Sequence, residues 1–210
     1  MTKIQEIHKT TARYITLTLL FLSLFSAPIV QAQVRGTETI IVYRYEKFSA
    51  KQINSSMAYL RNFYSKVKYG GELTLPEKAR YAPKGCYTAT LLLNYQKAKK
   101  DKDNVVIAFT DKDICETKKT DGKVLNHYRC MGMSYLNSGL SVVTTSRFKM
   151  FSQDHLNRLM LHELGHAFGL KHCAVSTCIM QDAKGKNKFG HTPTFCTNCK
   201  KYLKGKGWNL

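Results

Sequence analysis

The chain has 210 residues, of which 33 are Lys or Arg and 14 are Asp or Glu, a net charge of +19 with 43% hydrophobic residues. That length is enough for a real hydrophobic core, and the apolar stretch from Ile15 to Val30 is shorter than the roughly 20 residues of a membrane-spanning helix. The charge favours anionic neighbours such as acidic protein, nucleic acid, glycan or a membrane surface, and is equally consistent with a solvated basic exterior.

Residues 1–32 read as a secretory signal peptide. Lys3, Lys9 and Arg13 form a basic start, Ile15 to Val30 an apolar middle, and Val30-Gln31-Ala32 offers small residues for a cut before Gln33. An uncleaved anchor is the alternative, but Pro28 interrupts the end of the run. Cleavage leaves 178 residues (210 less 32), residues 33–210, expected to form one domain that is exported, secreted or periplasmic, with no stable membrane span.

Thr39 to Tyr45, rich in β-branched and aromatic residues, is predicted as the first strand. A helix from about Ala50 to Lys66 follows, with Ile53, Met57, Leu60 and Tyr64 at helical spacing. Gly70-Gly71, Pro76, Pro83 and Gly85 break up the next stretch, leaving a short strand near Glu72 to Leu75 between loops. A second helix is expected from about Thr88 to Lys100. Val105 to Phe109 is a continuous apolar run suited to a central strand buried on both faces. Asp111 and Asp113 after it read as turn formers, with a cation site or catalytic acid as the alternative. Residues 128–146 read as a hairpin, with strands near Met131 to Leu136 and Leu140 to Thr145 around an Asn-Ser-Gly turn. Ser152 is the expected N-cap of the helix after it. His155, about 10 Å along that helix from His162, is too far to share a ligand with it and is expected at the solvent.

The chemistry concentrates in HELGHAFGLKHC, His162 to Cys173. His162 and His166 are one helical turn apart and project from one face, so both imidazoles can reach a single metal. Gly169 can leave the helix in a conformation other residues resist and return His172 to the same ion. Three neutral nitrogens suit zinc and leave one position for a water whose pKa falls to about 7, and Glu163, beside the first histidine, can take its proton.

Cys173, Cys178, Met180, Cys196 and Cys199 follow. The whole pattern, HExxHxxGxxHC-x4-C-x-M and then CxxC, resembles the archaemetzincin family of metalloproteases. The resemblance covers residues 162–199, with a gap between Met180 and Cys196 slightly shorter than the family's and an export signal the family does not usually carry. It implies that His162, His166 and His172 hold a catalytic zinc, that Glu163 is the general base, that Met180 forms the turn beneath the site, and that Cys173, Cys178, Cys196 and Cys199 hold a second, structural zinc. Disulfides among the same four cysteines are the competing use in an oxidising compartment. Of Cys86, Cys115 and Cys130 at least one is unpaired within the monomer, and spacing does not choose the pair.

The expected fold is α/β and metzincin-like: a mixed, twisted β-sheet flanked by helices, a zinc-binding active-site helix and a cysteine-clasped C-terminal segment. The first strand of the hairpin would be the sheet edge that accepts a peptide as an added strand. The expected function is that of an exported zinc metalloprotease, an endopeptidase or aminopeptidase, using two zinc ions and acting as a monomer on peptide or protein, with the basic charge pointing to acidic peptides. A zinc-containing peptide binder with little or no catalysis is the alternative. The seven lysines after residue 183, with Phe189, Phe195, Tyr202 and Trp208 among them, also suggest a nucleic-acid module. Export and the contiguous protease motif argue against that reading, and no nucleic-acid partner is expected.

Overall fold

The computed structural model describes residues 33–120, 122–182 and 194–210. The expected signal peptide lies outside them, as do Phe189 and the three lysines of residues 183–193. Among the described residues, no helix is long and apolar enough to cross a membrane.

The main sheet has five strands: β1 (Thr39–Tyr45), β2 (Val67–Leu73), β5 (Asn104–Thr110), β8 (Gly132–Tyr135) and β9 (Leu140–Thr144), in the order β2-β1-β5-β9-β8. All neighbours are parallel except the last pair, so β8 is an antiparallel edge strand. The apolar run of β5 is central, and its alternation explains why it is apolar throughout. Val105, Ile107 and Phe109 join one core with α1 (Ala50–Arg61) and α3 (Gln153–Ala167), while Val106 and Ala108 join a second core with α2 (Ala89–Lys97) on the other face. On the first face, Ser56 of α1 donates to Asn157 Oδ1 of α3 at 2.9 Å, so the buried polar pair is satisfied where the helices meet.

Three expected boundaries move, the second helix ending at Lys97 rather than Lys100. The first helix ends at Arg61 rather than Lys66, because the chain turns to deliver β2 to β1; Tyr64, whose amide still donates to the Leu60 carbonyl at 2.9 Å, stays in the core with Ile53, Met57 and Leu60 and donates its hydroxyl to the Glu38 carbonyl at 2.7 Å. Gly70-Gly71 is no loop. It lies inside β2, which begins earlier than expected and shifts register opposite Val42 and Tyr43. A Cβ on Gly70 would stand 2.5 Å from the Tyr43 ring, and Gly71 has φ +107°, so the pair makes a bulge in an edge strand.

A second sheet, unread in the sequence, has the order β3-β4-β6-β7: β3 (Arg80–Tyr81), β4 (Cys86–Thr88), β6 (Ile114–Thr120) and β7 (Lys123–Cys130). The signal was present, since Asp121-Gly122 between two strand-length runs is a two-residue hairpin sequence. The last helix, α4 (Thr197–Lys204), was also unread. Its eight polar-rich residues form a helix because Cys199 and Leu203 on one face are buried.

Cys86 and Cys115 form a disulfide, leaving Cys130 as a free thiol. The bond ties β4 to β6 across a sequence separation of 29 residues. Closing a loop of that length removes chain entropy worth about 3–4 kcal/mol from the unfolded state. The double variant Cys86→Ala, Cys115→Ala is therefore expected to lose about that much stability in urea unfolding, and an unchanged midpoint would contradict it.

Candidate metal centre

α3 starts at Ser152, whose side chain accepts from the His155 amide at 3.3 Å, as expected for its cap. Its inner face carries Leu156, Leu159, Met160, Leu164 and Ala167 into the core, which seats His162 and Glu163 at the cleft floor, both nearly buried. The helix stops at Phe168, and Gly169 takes φ +108°, the left-handed conformation anticipated for it. The Gly169 and Leu170 amides donate to the carbonyls of His166 and Gly165, each at 2.9 Å, closing the helix end and turning the chain so that His172 returns.

The three histidines meet. Their candidate ligand nitrogens lie within 4.8 Å of one another, and His162 Nε2 is 3.1 Å from His166 Nε2. Nδ1 of His162 lies 2.7 Å from the Ile179 carbonyl and Nδ1 of His166 lies 2.7 Å from the Leu170 carbonyl. A carbonyl only accepts, so each Nδ1 carries the hydrogen and each Nε2 presents a lone pair towards its neighbour. Two lone pairs at that separation repel unless a cation lies between them. A tetrahedral zinc with Zn–N bonds of about 2.0–2.1 Å places its nitrogens about 3.3 Å apart. The residues fit zinc. Burial pushes the His162 imidazolium down to about 3 and that of His166 to about 4, so both rings are neutral and ready to ligate. His155 stays apart as expected, although its ring is half-buried edge-on to Phe148 rather than at the solvent.

Glu163 is enclosed beside them. Burial raises its carboxyl to about 7, and a hydrogen bond from the Ser134 hydroxyl at 2.7 Å pulls partly back. Asp113 is not a ligand here. It is held by Arg129 and Arg147 and by the Ser146 hydroxyl at 3.3 Å, the structural reading.

The second cluster forms where Cys173 and Cys178, following α3, meet Cys196 and Cys199 at the start of α4. All four Sγ atoms lie within 4.8 Å of one another, with Cys173 and Cys196 at 3.8 Å and Cys178 and Cys199 at 3.7 Å. Those separations match the roughly 3.8 Å edge of a tetrahedron with 2.3 Å Zn–S bonds. The backbone amide of Cys199 draws the Cys196 thiol down to about 7, whereas burial and the neighbouring sulfurs push Cys199 up. Four sulfurs at these separations form a donor set that fits one tetrahedral zinc.

Met180 is fully buried beneath α3. A Cβ on Gly165 would stand 2.5 Å from its sulfur and 3.1 Å from its methyl. Gly165→Ala is expected to cost about 1–3 kcal/mol by overpacking this contact. A melting temperature equal to that of the parent would show that Met180 can retreat.

Above α3 lies an open cleft of about 1360 Å³. Its floor is His162, Glu163, His166 and His172, and its walls are the β6–β7 hairpin and the β8 edge. Sequence reasoning named the floor and the edge but missed the hairpin wall and Ser134.

The model of peptidase family M54 matches residues 87–205, more than half the chain and every residue of both clusters. The chain belongs to this family. The archaemetzincin of Nanoarchaeum equitans is 31% identical over 147 residues, spanning 70% of this chain and 78% of that protein. The archaemetzincin of Methanopyrus kandleri is 29% identical over 134 residues, 61% of this chain and 72% of the relative. Its crystal structure covers 82% of this chain and 97% of its own with a TM-score of 0.65 at 22% identity. That of Archaeoglobus fulgidus archaemetzincin, complexed with malonate, covers 78% and 99% with a TM-score of 0.64 at 19% identity. This fold is therefore the archaemetzincin fold, and an M54 chain is a zinc metallopeptidase. The expected α/β architecture with its cysteine-clasped end is the one observed, with the small second sheet added.

Proposed function

We propose that this M54 peptidase cleaves extended peptides in the cleft above α3, with zinc held by His162, His166 and His172 and with Glu163 as general base and acid. The observation that carries the reading is the pair of Nε2 atoms facing each other 3.1 Å apart, with both Nδ1 hydrogens committed to carbonyls. Zinc, when bound, supplies a Lewis acid that makes water nucleophilic near neutral pH and polarises a carbonyl. Glu163 accepts the proton of the attacking water at Oε1, the oxygen not held by Ser134, and delivers it to the leaving amine. A carboxyl with its pKa near 7 suits both transfers at neutral pH. The free edge of β8 offers main-chain donors and acceptors to a peptide lying along it, which fixes the scissile bond with little demand on side chains. The four cysteines would hold a second zinc that ties α4 to the end of the catalytic helix.

Two further readings belong with this one. Export, with residues 1–32 removed and 33–210 as a single metalloprotease domain, is supported by the Cys86–Cys115 disulfide, a bond of oxidising compartments. Preference for acidic peptides is supported by the hairpin wall. Its Arg129 is committed to Asp113, and Glu116 is tied to the amides of Thr90 and Thr117 at 2.8 and 2.9 Å, while Lys118 and Lys119 are exposed with no ion pair among the described residues.

The test is a mixed peptide library read by mass spectrometry with and without a chelator. Chelator-sensitive cleavage, enriched for acidic residues flanking the cut and weakened by salt, is expected. Capture of peptides without any cleavage would overturn the peptidase reading for this chain. The positions of the cuts separate internal from N-terminal cleavage.

A further inference from the structure

Residues of β8 alternate between two tasks. Met133 and Tyr135 pack against the core under α2, while Gly132 and Ser134 face α3 and close on Glu163. Ser134 Oγ stands 2.7 Å from Glu163 Oε2, 2.8 Å from the Glu163 carbonyl oxygen and 2.9 Å from Ser141 Oγ. That is three acceptors for one hydrogen, so a second donor is required. Ser141 supplies it. It is fully buried, sits directly opposite Ser134 in the β8–β9 register, and its Oγ lies 3.2 Å from the same Glu163 carbonyl. With the Ser141 hydrogen serving that carbonyl or Ser134 itself, the Ser134 hydrogen is left for the carboxylate.

On the other side of the carboxylate the strand is bare. A Cβ at Gly132 would stand 2.5 Å from Oε1, 2.6 Å from Cγ and 2.7 Å from Cδ of Glu163. No side chain larger than hydrogen is compatible with this placement of the glutamate. The carboxylate is thus gripped between a hydroxyl and naked backbone two residues apart on one strand.

We propose that Ser134, backed by Ser141 and faced by the clearance at Gly132, is the positioning residue that holds Glu163 with Oε1 presented to the cleft. The inference rests on Glu163 being the base proposed above. With the proton taken up at Oε1, Oε2 remains an acceptor for the Ser134 hydroxyl, so the contact survives proton uptake and return without movement of heavy atoms. The same four-residue strand offers its edge to the substrate, which registers base and scissile bond to each other. Errors of about 1 Å in such registration cost rate rather than binding.

The experiment compares wild type with Ser134→Ala, Ser134→Thr and Ser141→Ala by steady-state kinetics and zinc content, and by crystal structures of the zinc-free proteins. Ser134→Ala is expected to lower kcat about ten- to a hundredfold through the lost bond to a charged group, with zinc content unchanged and KM within about twofold. Its Glu163 side chain is expected to spread over several rotamers. Ser134→Thr keeps the hydroxyl and is expected to restore both rate and rotamer. Should Ser134→Ala fail to fold, Ser141→Ala removes the backing donor and is read in the same way, with a smaller fall in kcat. An alanine variant with wild-type kcat, or one with Glu163 still in its original single rotamer, would overturn the proposal. Full activity in Glu163→Gln would instead remove the base assignment, and the crystal structures still judge the Ser134 contact by themselves.

Discussion

Glu163→Gln is expected to lower peptide hydrolysis by about a hundred- to ten-thousandfold while zinc stays bound, the range that a positioned acid–base group contributes. It is also expected to make the protein more stable. Burial raises the Glu163 carboxyl to about 7, above the 4.5 of an unburied glutamate. Between those values the folded state binds the proton that the unfolded state has released, so stability falls as pH rises through the window and the whole cost is present above pH 7. Two and a half units correspond to about 3 kcal/mol. Glutamine carries no charge and escapes that cost, still accepting the Ser134 hydroxyl on its carbonyl oxygen. Calorimetry after mild removal of labile metal should place the variant roughly 5–10 °C above wild type at pH 8, with the gap closing below pH 4.5. Equal turnover would end the base assignment, and a gap independent of pH would mean that charge burial is not its cause.

Breaking the cysteine cluster should be the most damaging change to the fold. Wild type is expected to carry two zinc ions by inductively coupled plasma mass spectrometry and Cys199→Ser only one, with a loss of several kcal/mol. Structural sites of this kind contribute roughly 10–16 kcal/mol to small zinc domains, and part of that is recovered here by packing. The tail has other anchors. Trp208 packs edge-on to Phe168 and Phe195, and Tyr202 donates to the Phe168 carbonyl at 3.2 Å. Phe195 and Trp208 are buried, while Tyr202 keeps an exposed ring. Alkylation of the denatured, chelated but unreduced chain distinguishes the two uses of the sulfurs. Five thiols, those of Cys130, Cys173, Cys178, Cys196 and Cys199, react if zinc held the four. If only the Cys130 thiol reacts, the four are disulfides and the second zinc does not exist.

Much of the centre was legible because its parts are close in sequence. His162, Glu163, His166, Gly169 and His172 fall within 11 residues, and helix geometry with one glycine turn is enough to bring them together. The four cysteines were legible for the same reason, since their spacing matches a known ligand set. Strands β1, β5, β8 and β9 followed from local composition. The hairpin wall did not, because Lys118, Lys119 and Lys123 make β6 and β7 look like a solvated charge run, and only the turn between them betrays the pairing. Gly70-Gly71 misled for the opposite reason: glycine marks a turn locally, but here it clears space for Tyr43 on the neighbouring strand.

By itself, then, the sequence determined which histidines come together, which glutamate stands beside them and the helix that carries them, since each depends on residues within a few turns of one another. Tertiary structure alone decided that Cys86 pairs with Cys115, that a basic hairpin walls the cleft, and that Ser134 and Gly132 grip a glutamate 29 and 31 residues further along the chain. The physical reason is that these contacts are made between strands and a helix whose order in space differs from their order in sequence. A serine or a glycine in a short strand carries no periodicity or spacing that names its partner.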